Sequence, residues 1–127
     1  MDNQSNSVNW FEIPATDIDR AQKFYETVFD VKLDRNDMEQ FQMAMFPFEP
    51  DNGKATGALV KSEMHIPSQE GVIIYLNANP NLEVALEKVE AAGGKILIPK
   101  TQITEEYGYM AFFNDTEGNK MAMHSQS

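Results

Sequence analysis

One carboxylate interrupts the apolar and aromatic run Trp10-Phe11-Glu12-Ile13. A glutamate in such company can act as a general base or as a polar hook for a ligand, because apolar neighbours such as Trp10 and Leu76 raise its pKa by disfavouring the charged form. The alternative for Glu12 is a hydrogen bond to a neighbouring strand or a place at a rim. The two imidazoles of the chain are His65 and His124. His124 lies near the chain end, either reaching a pocket mouth or partly exposed there. His65 sits between Met64 and Ile66 in a polar stretch, where solvent exposure is expected. Tyr107 and Tyr109 flank Gly108, so their hydroxyls could meet a ligand, the solvent or a partner subunit. The methionines, Met43 and Met45 among them, suit either core filling or a soft apolar ligand lining.

Other motifs add little. Asp115, Glu117 and Asn119 alternate like the start of a calcium-binding EF-hand loop, but the glycine arrives at the fourth position, and Gln126 stands where a bidentate glutamate belongs. That segment reads as a hairpin turn. No glycine-rich phosphate loop occurs, and the sequence alone supports no Ser-His-Asp constellation. The lack of cysteine removes disulfides, thiolate metal sites and cysteine nucleophiles, and fits a reducing cytosol. Twenty acidic residues against ten Lys and Arg give a net charge of −10, which repels phosphate backbones and anionic lipid. Neither nucleic acid nor membrane is an expected partner. The expected location is the cytoplasm, with residues 1–7 as a disordered polar tail.

The elements that must position these residues follow from periodicity. Val8 to Ile13 reads as a strand stopped by Pro14, and Ile18, Ala21, Phe24, Tyr25, Val28 and Phe29 recur at helical spacing from about Asp17 to Phe29. Val31 to Leu33, Phe41 to Phe46 and Thr56 to Val60 give three further strands. After a connector at residues 62–70, Val72 to Leu76 reads as a strand. Asn79-Pro80 then opens a helix through Leu82, Ala85, Leu86 and Val89, which Gly93 and Gly94 end. Lys95 to Ile98, Tyr109 to Phe113 and Lys120 to His124 complete the second half. Each half reads β, α, β, β, β, at residues 8–61 and 71–125 of one domain. A shift of 64 residues lays Trp10 on Ile74, Glu12 on Leu76 and Asp17 on Asn81. A sheet with one apolar face cannot bury it alone, so the two modules are expected to share a core or enclose a cavity.

The run from Trp10 to Ala21 with Phe24-Tyr25, then Val89 to Lys95, then Phe112 to Asn119, resembles the vicinal oxygen chelate superfamily. That superfamily includes glyoxalase I, extradiol dioxygenases and the bleomycin and fosfomycin resistance proteins. The resemblance implies an α+β fold of two tandem βαβββ modules, forming a curved, barrel-like mixed sheet around a central cavity. It also implies a divalent metal held by His, Gln or Glu from several strands. Here the matched positions carry Trp10, Ile74 and Ala122, and the strand Thr56 to Val60 offers no acid, amide or histidine. Indole and aliphatic side chains give a cation no lone pair. No conventional metal site and no cofactor are therefore expected; a divalent metal would need a shifted set drawn from Glu12, His124 and His65.

By strand alternation Glu12 shares the face of Trp10 and points into the implied pocket, where it is the candidate catalytic acid or base. His124 shares the face of Ala122. The expected pocket comprises Trp10, Glu12, Met43 and Met45 from the first module, with Ile74, Leu76, Tyr109, Ala122 and His124 from the second. The resemblance thus implies a protein that binds a small, largely apolar molecule without the usual metal, as a homodimer. Two alternatives stand beside it: a metal-dependent lyase, isomerase or dioxygenase with an atypical set including Glu12, and a non-catalytic sequestering protein of the antibiotic-resistance type.

Overall fold

Alternation puts Phe11 and Ile13 on one side of the first strand and Trp10 and Glu12 on the other. In the computed structural model, which describes residues 1–127, that strand is β1 (Trp10–Pro14), parallel to β4 (Thr56–Lys61). Between them lie α1 (Ile18–Phe29), β2 (Asp34–Asp37) and β3 (Gln42–Met45), giving a sheet of order β1-β4-β3-β2. The second half repeats the plan with β5 (Tyr75–Asn77), α2 (Glu83–Leu86), β6 (Lys95–Thr104), β7 (Gly108–Asn114) and β8 (Lys120–Ser125), in the order β5-β8-β7-β6. The protein is therefore α+β, built of two βαβββ modules as the periodicity predicts. No helix is long and apolar enough to cross a membrane.

Asp17 caps α1 by accepting the Arg20 N–H, and Asp30 ends it in the left-handed conformation. The helix buries Ile18, Ala21, Phe24, Tyr25 and Val28 against Ile13, Ala44 and Leu59 of the first sheet and Ala111, Phe113, Met121 and Met123 of the second. Phe113 lies 6.1 Å from the Phe24 ring, so one core serves both halves. Full burial of each Ile, Leu, Val, Phe or Met side chain among them contributes about 1.5–3 kcal/mol, and part of it is gained only when the two modules meet.

Three elements depart from the periodic reading. Val31 to Leu33 is not a strand: Leu33 turns into the core, and the polar segment Asp34–Asp37 pairs instead as a charged sheet edge. The strand expected at Val72 to Leu76 is only Tyr75–Asn77. The helix expected from Asn79 begins at Glu83, after the cap residue Leu82, and holds α-helical geometry only to Leu86. Beyond it, the Lys88 and Val89 N–H groups bond three residues back, to Ala85 and Leu86, and Gly93 closes the turn at φ 107°.

The internal repeat is also out of step with a uniform shift. The last pair of each parallel ladder is Pro14 with Val60 and Asn77 with His124, an offset of 63 in the first strands (77 − 14). The helix caps Asp17 and Leu82 are offset by 65 (82 − 17). Both numbers are odd, and an odd slip reverses which face of the strand a side chain occupies. The expected match of Glu12 with Leu76 is thereby corrected: Tyr75 and Asn77 share the orientation of Glu12, whereas Leu76 is buried in the core at 8% exposure.

Candidate functional site

On β1 the polar face is short and occupied. The Trp10 indole N–H donates to Glu12 Oε2 at 3.1 Å, and His65 Nε2 meets Glu12 Oε1 at 2.7 Å. His65 comes from the turn after β4, where its Nδ1 lies 2.5 Å from Ser62 Oγ. An ionised carboxylate only accepts, so His65 Nε2 carries a proton toward Glu12. These contacts set the carboxyl's pKa below its ordinary value: the His65 hydrogen bond lowers it most, partial burial opposes this, and the Trp10 bond lowers it again. The expectation of a raised pKa is therefore reversed. Glu12 is a hydrogen-bonded anion, and its side chain remains 36% exposed.

Ser62 carries no role in the sequence analysis, and His65 enters it only as a solvent-exposed residue or a member of a shifted metal-ligand set. His65 was expected in solvent, yet its side chain is only 14% exposed, and its ring meets Phe41 edge-on at 6.3 Å between centroids. The one signal available was the Ser62-x-x-His65 spacing of a tight turn directly after a strand.

The face that carries Trp10 and Glu12 continues across the sheet through Ala58 to Met45, and through Val60 to Met43, because these residues stand opposite one another in register. The structure thus brings together the four residues expected from the first module. In the second sheet Ala122 and His124 share a face with Tyr75, Met110 and Phe112, again by register. Tyr75 meets Phe112 edge-on at 5.8 Å. Tyr109 does not join this face. Its strand parity is set by Ala111 and Phe113 in the core, so Tyr109 packs there with Lys100 Nζ 4.4 Å above its ring. Ile74 likewise packs against the core, and His124 Nε2 donates to the Tyr107 carbonyl at 2.6 Å. Where the halves meet, Glu12, Ile66, Val72, Ile74 and Met121 border a recess of about 200 Å³.

A second buried cluster ties the last hairpin turn to the start of α1. Glu117, with no side-chain exposure, accepts the backbone N–H groups of Thr16 and Asp17 at 2.9 and 2.8 Å and the Arg20 guanidinium at 2.7 Å. Burial alone would raise its pKa, but the Arg20, Asp17 and Thr116 hydrogen bonds prevail and lower it to about 2. Asp115 accepts the Tyr25 hydroxyl at 2.7 Å, and burial beside this carboxylate pushes the phenol well above its ordinary value. Asn119 donates to the Pro14 carbonyl at 2.7 Å. The alternation of Asp115, Glu117 and Asn119 is therefore an internal clasp.

No group of three or more His, Cys, Asp or Glu side chains that could hold a metal ion gathers at the open face. Both Glu12 oxygens are engaged by Trp10 and His65 and its neighbour in register is Ala58, while Asp34 and Asn36 stand further along the same face, beside Met45 and Met43. Glu12, His65 and His124 form no three-ligand group.

Comparisons with known proteins agree with this architecture. The sequence profile described as "Glyoxalase/Bleomycin resistance protein/Dioxygenase superfamily" matches residues 7–123. A "Glyoxylase-like domain-containing protein" of Didymella fabae is 33% identical over 119 residues, 91% of each chain. Among solved structures, a glyoxylase/bleomycin resistance protein/dioxygenase domain from Frankia sp. EAN1pec superposes with a TM-score of 0.70 at 15% identity, covering 94% of this chain and 97% of that one. A hypothetical protein from S. aureus superposes with a TM-score of 0.67 at 23% identity, covering 94% of both chains.

Proposed function

We propose, given that the chain belongs to the Glyoxalase/Bleomycin resistance protein/Dioxygenase superfamily, that it binds a small, largely apolar molecule carrying a hydrogen-bond donor, and that it does so without a divalent metal. The observation that carries this reading is the Glu12 carboxylate, ionised by His65 and Trp10 yet partly open, on a sheet face that it shares with Trp10, Met43, Met45 and Ala58. An aromatic and thioether surface receives an apolar body, and one anchored anion fixes its orientation. The large exposed aromatics Trp10 at 40% and Tyr75 at 51% support a homodimer in which these faces are covered further.

Trp10 is the only tryptophan, so its fluorescence reports on the site directly. Titration with a set of small aromatic and aliphatic alcohols and amines is expected to give a saturable change at Trp10 that Glu12→Ala weakens at least tenfold. Protein purified without chelator is expected to carry substoichiometric metal, and added Mg²⁺, Mn²⁺, Ni²⁺ or Zn²⁺ is expected to leave its Tm unchanged. One equivalent of bound metal with a clear rise in Tm would overturn the reading.

A further inference from the structure

Ser62, His65 and Glu12 form a continuous chain of hydrogen bonds with directional consequences. Because His65 Nε2 carries its proton toward Glu12 Oε1, the neutral imidazole has a bare Nδ1, and the Ser62 hydroxyl, 2.5 Å away, donates to it. A hydroxyl is thus paired with a base, and the base is oriented by a carboxylate that is itself held by Trp10. These are the roles that activate a nucleophilic serine, here with the two ring nitrogens exchanged relative to the common serine-hydrolase arrangement. Ser62 Oγ also accepts the Met64 N–H at 3.1 Å, which occupies one lone pair and leaves the other free to attack.

The hydroxyl also has somewhere to act. Ser62 borders a recess of about 370 Å³ with Glu39, Gln40, Phe41, Glu63 and Met64. Phe41 and Met64 offer an apolar wall to a short acyl chain. Glu39 and Glu63, in a chain of net charge −10, favour neutral or cationic over anionic molecules.

We propose that Ser62 is a nucleophile toward short-chain esters, with His65 as its base and Glu12 as the positioning residue for His65. Oγ adds to the carbonyl carbon as its proton passes to Nδ1. The adduct collapses with cleavage of the bond to the alkoxy group, which leaves with that proton as the alcohol, and the acyl group stays on Ser62. Water then adds to the acyl carbon and gives a proton to Nδ1; Ser62 departs and recovers it. The sum is ester plus water to acid plus alcohol.

The test uses the intact chain, p-nitrophenyl acetate and diisopropyl fluorophosphate, followed by nitrophenolate release and peptide mass mapping. The expected result is a single adduct on Ser62, absent in Ser62→Ala and formed at least tenfold more slowly in His65→Gln. In Glu12→Gln the acylation rate is expected to fall with a displaced pH profile, which a purely structural role would not produce. Adducts on other residues, or an unchanged rate in Ser62→Ala, would overturn the proposal. Ser62→Cys guards against a folding artefact, because it places the sole thiol of the chain beside His65. That thiol is expected to be alkylated by iodoacetamide at pH 6 at least tenfold faster than Ser7→Cys in the tail; an equal rate argues against activation. The Trp10 fluorescence titration is a separate measurement, so binding at Trp10 without a Ser62 adduct defeats the nucleophile alone, and a Ser62 adduct without binding at Trp10 defeats only the binding reading.

Discussion

Glu117 reaches back across almost the whole chain to accept the Thr16 and Asp17 N–H groups at 2.9 and 2.8 Å, so a turn of the second module caps the first helix of the other. This carboxylate is fully buried, whereas its Arg20 partner is half exposed. Its folded pKa of about 2 lies below the ordinary 4.5, so its stabilisation is present above pH 4.5 and is lost as pH falls toward 2. Allowing for the exposed Arg20, roughly 2 kcal/mol should disappear over that window. Urea titrations at pH 7 and pH 3 are expected to show the loss in the wild type and a much smaller one in Glu117→Gln.

Tyr25 is expected to be silent in alkaline titration. Its hydroxyl is buried against Asp115, which stabilises the neutral phenol and resists a second negative charge. Ultraviolet difference spectra should show a tyrosine signal, absent in Tyr25→Phe, that ionises only as the fold is lost. Tyr25→Phe leaves a buried Asp115 oxygen short of one donor, and should cost about 1–3 kcal/mol in denaturant melts.

His65→Ala should free Glu12. With the largest lowering contact gone, the Glu12 side-chain carbon should titrate closer to its ordinary 4.5 by NMR than in the wild type, where its midpoint lies lower. The same variant should change the Trp10 emission, since the indole N–H shares that carboxylate.

Gly57→Ala should open the β1–β4 pair. A Cβ at Gly57 would overlap the Phe11 carbonyl oxygen and lie 2.5 Å from the Phe11 ring. Backbone cannot yield without parting the parallel ladder, so a loss of about 2–3 kcal/mol is expected in thermal melts, with reduced amide protection in β1.

Local pattern alone yields the duplicated βαβββ order and the apolar stripe of α1, with Thr16 and Asp17 both open as its cap, because alternation and helical spacing are local properties that burial enforces. Alternation along one strand likewise places Glu12 on the face of Trp10, whereas the parity of Met43 and Met45 is open in the sequence and is fixed only by their register with Val60 and Ala58. Tertiary structure decided the rest. The change of offset from 63 at the strands to 65 at the helix caps arises from a loop two residues longer before α2, and only pairing with β8 shows that Tyr75, and not Leu76, occupies the open face. The low pKa of Glu12 likewise depends on His65, 53 residues away in sequence, being folded onto it. The clasp of Glu117 on Thr16 and Asp17 is of the same kind. Side-chain periodicity carries the face of a strand, whereas the partner of a charge is set by long-range closure, which no local pattern records.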